Sequence, residues 1–256
     1  MKTSNHKSDL SIEEILGLLK KTTLPTIVVE GADDMIVYRH MEERLSALGV
    51  SVLPVGGRKN VLDIFSRRAE LPTSVKITFI ADQDVWVNTK IPTEYHDDRL
   101  VFTNGYSIEN DIYNDGELWK LLRKDEFPKF DTEVRAFLSW YALALSRHLQ
   151  TACDAIKSHP DYVLNPDHHA GLLSLRTGES YPNELHKSLS KDYHRTLRGK
   201  SLMALLVRQT SCKGRDPHHN SKALMEVVAK RPGPLLETMY SRIKSLHSLD
   251  PVSAIH

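Results

Sequence analysis

Along the first hundred residues the apolar positions switch repeatedly between an unbroken run and a helical period. Thr26-Ile27-Val28-Val29, between Pro25 and Glu30, is a β-branched run that predicts a short buried strand near 26–30, with Pro25 at its entrance, where no ladder donor is needed. Gly31 breaks the run. Met35, Ile36, Met41, Leu45 and Leu48 then recur at helical spacing, which predicts a helix over 34–48 that Asp33 or Asp34 caps and Gly49 ends. The alternation goes on with a strand near 50–55, a helix near 60–69 and strands near 76–81 and 99–103. Strand and helix in turn predict an α/β protein with a mainly parallel, four-stranded, Rossmann-like sheet. Ahead of it, Ser11-Ile12-Glu13-Glu14 has capping-box spacing and starts a helix through Leu16, Leu18 and Leu19 that packs on the α/β domain.

After about residue 112 the strand signal disappears. The spacing predicts a long helix over 133–156 and further helices near 200–209, 220–230 and 234–246. Between them, residues 158–199 are rich in Pro, Gly, His and Ser and read as a loop or mobile segment. The expected division is an N-terminal helix (1–23), an α/β domain (24–115) and a helical, basic C-terminal domain (116–256).

A chain of 256 residues, 40% hydrophobic, can build a proper core. No apolar run reaches the roughly 18 residues of a membrane span, and the start, MKTSNHKSDL, lacks the apolar core of a signal peptide, so a cytoplasmic location without membrane contact is expected. Cys153 and Cys212 have no CxxC partner and read as ordinary buried thiols. The net charge of +1 conceals a division: residues 1–115 carry 13 Lys plus Arg against 18 Asp plus Glu (−5), and residues 116–256 carry 21 against 15 (+6). An acidic half beside a basic half suits an enzyme acting on polyanions.

The acids have a pattern. Glu30 ends the first predicted strand, where open α/β sheets place ligand-handling groups. Asp82-Gln83-Asp84 ends the third, and Tyr106-Ser107-Ile108-Glu109-Asn110-Asp111 comes after the fourth. Converging carboxylates repel one another unless a hard cation neutralises them, and oxygen-only ligands favour Mg²⁺ or Mn²⁺. The plainer alternative is helix caps and solvated loop acids. Gly56-Gly57-Arg58-Lys59 precedes a helix, so backbone amides and two cations can meet a phosphate there, or the stretch is only a flexible turn. From Lys187 to Arg215 there are eight Lys plus Arg against one acid, Asp192. With Tyr193 available to stack on a base, this segment is the candidate for nucleic-acid backbone contact, and a solvated basic face is its alternative. Gly199-Lys200-Ser201 matches the end of a P-loop, but His194 stands where that motif needs glycine, which argues against ATP hydrolysis. Asp167-His168-His169 and His218-His219 lack a Cys or a helical i, i+4 partner and read as loop residues rather than zinc ligands.

Glu30-Gly31-x-x-Asp34 after the first strand and Asp82-x-Asp84 after the third resemble the Toprim family of topoisomerases, bacterial primases and overcoming-lysogenization-defect nucleases, over about residues 24–112. Gly56-Gly57-Arg58-Lys59-Asn60-Val61, Tyr106 to Asn110 and Arg198-Gly199-Lys200 are similar to the AriB-like Toprim subunits of PARIS-type phage-defence systems. The resemblance implies a metal-dependent endonuclease. In it Glu30 is a metal ligand and acid/base residue, Asp82 and Asp84 are catalytic metal ligands, and Asp34 and Glu109 complete a second metal position, while Asp33 is a surface cap. Two Mg²⁺ or Mn²⁺ ions about 4 Å apart would activate water and stabilise a leaving oxygen. Arg58, Lys59, Arg195, Arg198 and Lys200 are the substrate-binding candidates. Neither a topoisomerase's tyrosine-bearing larger chain nor a primase's template-binding domains are visible. The resemblance further implies a toxic effector of abortive infection, held by an AriA-like ABC-type ATPase sensor, dimerising on release and cleaving host tRNA. The alternatives are a DNA nickase or nuclease like the overcoming-lysogenization-defect proteins, and a non-catalytic docking module of the ATPase complex.

Overall fold

Four short apolar runs form the strands β1 (Thr26–Val29), β2 (Ser51–Pro54), β3 (Ile77–Ala81) and β4 (Leu100–Phe102). In the computed structural model, which describes residues 10–152 and 154–248, they pair into one wholly parallel sheet of order β2-β1-β3-β4. Every residue of the two central strands, β1 and β3, is buried. That burial on both faces is why they read as continuous apolar runs rather than as alternating ones.

The helices are α1 (Ile12–Lys21), α2 (Met35–Arg44), α3 (Arg58–Ser66), α4 (Ile108–Asp115), α5 (Phe127–Thr151), α6 (Pro160–Val163), α7 (Pro166–Leu172), α8 (Asn183–Lys191), α9 (Tyr193–Thr196), α10 (Gly199–Thr210), α11 (Ser221–Lys230) and α12 (Pro234–Ser248). Among the described residues no strand comes after β4. The protein is therefore α/β, a Rossmann-like parallel core with a helical C-terminal region. No helix of the described residues is long and apolar enough to cross a membrane.

The chain divides into two compact units. Of the described residues, the first comprises those up to Asp82, Ile91–Thr103 and those from Glu237 on, and the second those of Gln83–Lys90 and Asn104–Leu236. In the first unit α3 packs on β1 and β3, α1 on α3, and α2 beside β2. The capping box expected at Ser11 is present, with Glu14 N–H donating to Ser11 Oγ and Ser11 N–H donating to Glu14 Oε2. Ile15, Leu16 and Leu19 are buried below it. The part of α12 from Glu237 on is fastened to the same unit, near the helix start, by an Arg44–Glu237 ion pair of 2.7 Å and by Arg44 lying 5.4 Å from the Tyr240 ring.

Near the end of α12, His247 Nε2 lies 2.9 Å from Thr78 Oγ1, and its carbonyl accepts from Lys76 Nζ at 3.0 Å. Burial first, and the neighbouring Lys76 charge second, push the His247 imidazole down to about 4. An unfolded-state imidazole near 6.5 takes up a proton that the folded one refuses until about pH 4, so this contribution to stability is present above 6.5 and lost as pH falls toward 4. Urea unfolding across that window is expected to be less pH-dependent in His247→Gln than in the native chain. Equal slopes would show that His247 is not the group responsible.

In the second unit α10 packs against α4 and α5, α8 lies along α5, and α11 against α4. Asp115, the last residue of α4, accepts from the backbone N–H groups of Leu235 and Leu236 at 2.9 Å each. It thereby caps the start of α12 from about 120 positions away in sequence. Arg215 and Glu126 form a buried ion pair of 2.7 Å, and Arg215 also donates to the Leu121 carbonyl.

Several expectations are corrected. The long helix starts at Phe127, six residues before Glu133, because Pro128 stands in its first turn, where the absent N–H is no loss, and it ends where Ala152 turns left-handed at φ 52°. Residues 158–199 are not a loop but contain α6, α7, α8 and α9. Their prolines read as breakers, yet Pro160 and Pro166 begin helices, and Asn165 caps one of them by accepting from Asp167 N–H at 2.9 Å. His168 and His169 lie within α7, their Nδ1 atoms 3.3 and 3.0 Å from the carbonyls of Tyr162 and Val163. Cys212 is exposed rather than buried, and Cys153 lies outside the described residues.

Candidate functional site

The acids expected at the sheet edge are placed by strand register. β1 and β3 run side by side with Val28 opposite Phe79, so Glu30 and Asp82 leave the sheet together at its carboxyl edge. Glu30 Oε1 accepts from Asp82 N–H at 2.7 Å, and the Glu30 carbonyl accepts from Gly57 N–H at 2.6 Å. Glu30 thus joins the end of β3 to the glycine turn before α3. That turn needs its glycines, since Gly56 and Gly57 have φ of 84° and 126°, where side chains with a Cβ are strained. Asn60 Nδ2 braces it by donating to the Val55 carbonyl at 2.7 Å. Arg58 opens α3 half-buried, whereas Lys59 is exposed and ion-paired with Asp63 at 2.5 Å.

Asp34 occupies the N-cap position of α2 without a capping hydrogen bond from its side chain, and its carboxylate lies over Gly31, where a Cβ would stand 3.7 Å from Oδ2. Asp33 is exposed in the turn before it.

The remaining acids belong to the second unit. Asp84 sits in the left-handed region at φ 49°, a conformation Asp tolerates better than most residues, and its N–H donates to the Tyr106 carbonyl at 2.7 Å. Glu109 is buried in the first turn of α4 and accepts from Ser107 Oγ at 2.5 Å. Ser107 and Asn110 form a capping box there. Asp111 is 1% exposed and accepts from Asn104 N–H and Gly105 N–H at 2.9 and 2.8 Å. Burial nonetheless dominates and pushes its carboxyl up to about 6.

The same unit brings three of the five basic candidates to this acidic segment. Asn110, fully buried, donates to the carbonyls of His194 and Leu197 at 2.7 and 2.9 Å. Tyr106 N–H donates to the Arg195 carbonyl at 2.8 Å, Arg195 Nε to the Asn104 carbonyl at 3.0 Å, and Asn88 Nδ2 to the Thr196 carbonyl at 3.1 Å. These bonds bolt 193–198 onto 104–110. Arg195 and Arg198 are half-exposed and Lys200 is exposed in the first turn of α10. A cationic surface is thereby held beside Glu109. Tyr193, expected to be open for base stacking, is instead half-buried, edge-on to His194 at 4.0 Å and with the Tyr113 hydroxyl close to its own.

Sequence reasoning missed the residues that hold this arrangement together, above all Ser107, Asn110 and Gly199. A Cβ on Gly199 would stand 2.2 Å from Ser107 Oγ and 2.7 Å from Asn110 Oδ1. The one local signal was the Ser107-x-x-Asn110 spacing, a variant of the capping box. Also missed was Tyr141, fully buried on α5, whose hydroxyl is held far up its titration range by burial, with Tyr106, Arg198 and Asp84 nearby.

Among the described residues no three His, Cys, Asp or Glu side chains are grouped within reach of one ion. Compared with protein-family models and with curated proteins, the chain matches none.

Proposed function

We propose that the chain is a divalent-metal-dependent Toprim endonuclease, the toxic effector of an anti-phage defence system, that cleaves host tRNA when released from an ABC-type ATPase partner. The observation that supports it most is Glu30. Its carboxylate is bonded to the backbone of Asp82 and its carbonyl to the Gly56-Gly57 turn, at the carboxyl edge of a parallel sheet, the place where such sheets bind ligands.

The donor set fits a hard cation, because Glu30 and Asp82 offer only oxygen and lie on adjacent strands. Mg²⁺ or Mn²⁺, when bound, supplies charge neutralisation at the phosphate and a more acidic water. Glu30 and Asp82 are the residues that would hold it, and the resemblance adds Asp34 of the same unit as a further ligand. The Asp82 N–H fixes Glu30 Oε1 and so orients the carboxylate that takes the proton from the attacking water. Arg195, Arg198 and Lys200, on the surface beside Glu109, bind the phosphates of the polyanion. Choice of tRNA rather than DNA, and of an ATPase as partner, rests on the resemblance to AriB-like subunits.

Incubating the purified chain with a labelled tRNA pool and with supercoiled plasmid, in Mg²⁺ or Mn²⁺, tests the reading. Fragments from tRNA alone are expected. Cleavage of plasmid alone would replace the RNA reading with the DNA one. Silence on both substrates, with the partner ATPase also present, would reject the nuclease.

A further inference from the structure

The second unit carries a row of cations that its own fold leaves unanswered. α8 lies on α5 by one face, with Leu189 fully buried and Leu185 and His186 half-buried. Its approach is fixed by Tyr181, whose hydroxyl donates to the Ser139 carbonyl at 2.8 Å, and by Arg147, whose Nε and Nη2 donate to Glu179 at 2.8 and 2.6 Å. The opposite face is exposed and presents Lys187 and Lys191, one helical turn and so about 6 Å apart at Cβ. Among the described residues neither lysine enters a hydrogen bond or an ion pair, although Glu184 stands only one turn ahead of Lys187.

Elsewhere the protein answers an exposed helical cation at this spacing with an acid, Lys59 with Asp63 at 2.5 Å and Arg135 with Asp131 at 2.8 Å. Like charges one turn apart instead repel and weaken a helix. Lys191, in the last turn of α8, is favoured by the helix dipole, but Lys187 stands at the middle and has no such compensation. The pair therefore costs the fold something and returns nothing within it. α8 runs into 193–198, which is bonded to 104–110, and the chain from Lys191 to Arg195 reaches at most about 14 Å. Residues 183–200 hold five cations, Lys187, Lys191, Arg195, Arg198 and Lys200, against two acids, Glu184 and Asp192, a balance of +3. The row thus begins within that reach of the segment carrying Glu109 and ends one turn farther along α8.

We propose that α8 is a track for one strand of nucleic acid, Lys187 and Lys191 meeting consecutive phosphates whatever the bases. This rests on the proposed action on a nucleic acid and extends it to the form of the substrate, which is single-stranded where it crosses α8. The separation of the two lysines is close to that of consecutive phosphates on one strand. Lysine meets phosphate as a point charge on a flexible stem, which suits a backbone of any sequence. The exposed side chains beside the lysines, Glu184, Ser188 and Ser190, are not cationic. A duplex sets two phosphate rows across a groove and finds a match on α8 for only one of them. The Tyr193 ring is engaged with His194, so the contact is one of charge, and its signature is salt dependence.

Fluorescence anisotropy of a labelled oligouridine of about 12 nucleotides, titrated with the full chain in EDTA between about 50 and 200 mM salt, tests it. Two phosphate contacts on a single strand contribute about 1.4 to the slope of log affinity against log salt, so Lys187→Gln with Lys191→Gln is expected to lower the slope by about that amount. Lys187→Arg with Lys191→Arg is expected to keep the native slope. So is Lys124→Gln with Lys230→Gln, which removes as much charge from exposed positions elsewhere in the unit. The same strand annealed to its complement is expected to show no change in slope between the native chain and the Lys187, Lys191 glutamine pair. The proposal is overturned by an absence of binding, by equal slopes in the native chain and that pair, by the same loss in the Lys124, Lys230 pair, or by the same loss on the duplex. Polyglutamate competing as well as the oligouridine would also overturn it, in favour of an acidic protein segment. Because neither metal nor cleavage enters, a slope lost in the glutamine pair stands even where tRNA is left whole, and cleavage of tRNA with equal slopes removes only the track.

Discussion

Glu30→Gln is expected to reduce tRNA cleavage by about 10³-fold or more while the chain stays folded. Glutamine retains the oxygen that accepts from Asp82 N–H at 2.7 Å, and the backbone bond to Gly57 does not involve the side chain. What disappears is the negative charge and the basicity. The substitution therefore separates chemistry from architecture, which Glu30→Ala does not, because alanine also leaves Asp82 N–H without its acceptor. Initial rates on labelled tRNA, read beside thermal unfolding, decide the matter. Full activity in a folded Gln variant would remove Glu30 from the mechanism, and a lowered Tm with proportionate loss of activity would make it a structural residue only.

Gly199→Ala is expected to destabilise the second unit by about 2–5 kcal/mol, although it adds a single methyl group. The methyl would stand 2.2 Å from Ser107 Oγ, 2.7 Å from Asn110 Oδ1 and 3.0 Å from Glu109 Cβ. None of the three can withdraw cheaply. Ser107 is bonded to Glu109, Asn110 completes the capping box, and the Asn110 amide is held by two carbonyls of 193–198. Urea denaturation should show the loss, and Ser107→Ala in the same chain should make it less than additive, because it removes the closest clashing atom. Additive losses would mean that the helix start moves instead of the serine.

These two positions differ in how far the sequence exposes them. Glu30 is legible because its signal is local: a β-branched run, an acid, a glycine, then a helical period. The same logic locates all four strands and places Arg198-Gly199-Lys200 at the start of a helix. Nothing local announces that Gly199 meets Ser107 and Asn110, because the contact joins segments about 90 positions apart and its requirement is for the absence of a side chain. Tyr193 misleads for a related reason. An aromatic in a basic stretch has the composition of a stacking platform, but its surroundings, Tyr113 and His194, use the ring within the fold. Residues 158–199 mislead because proline, which stops a helix from within, serves there to start one.

The carboxylate of Asp115 has a further consequence, for the order in which the protein is made. It is synthesised about 120 residues before the amides of Leu235 and Leu236 that it satisfies. At ribosomal rates of roughly 5–20 residues per second, about 6 to 24 seconds separate the two. During that interval α4 ends in an acid still waiting for its donors, and the second unit lacks the turn that closes it. A nascent or truncated chain ending before Leu235 consequently lacks the donors that hold the end of α4 to the start of α12.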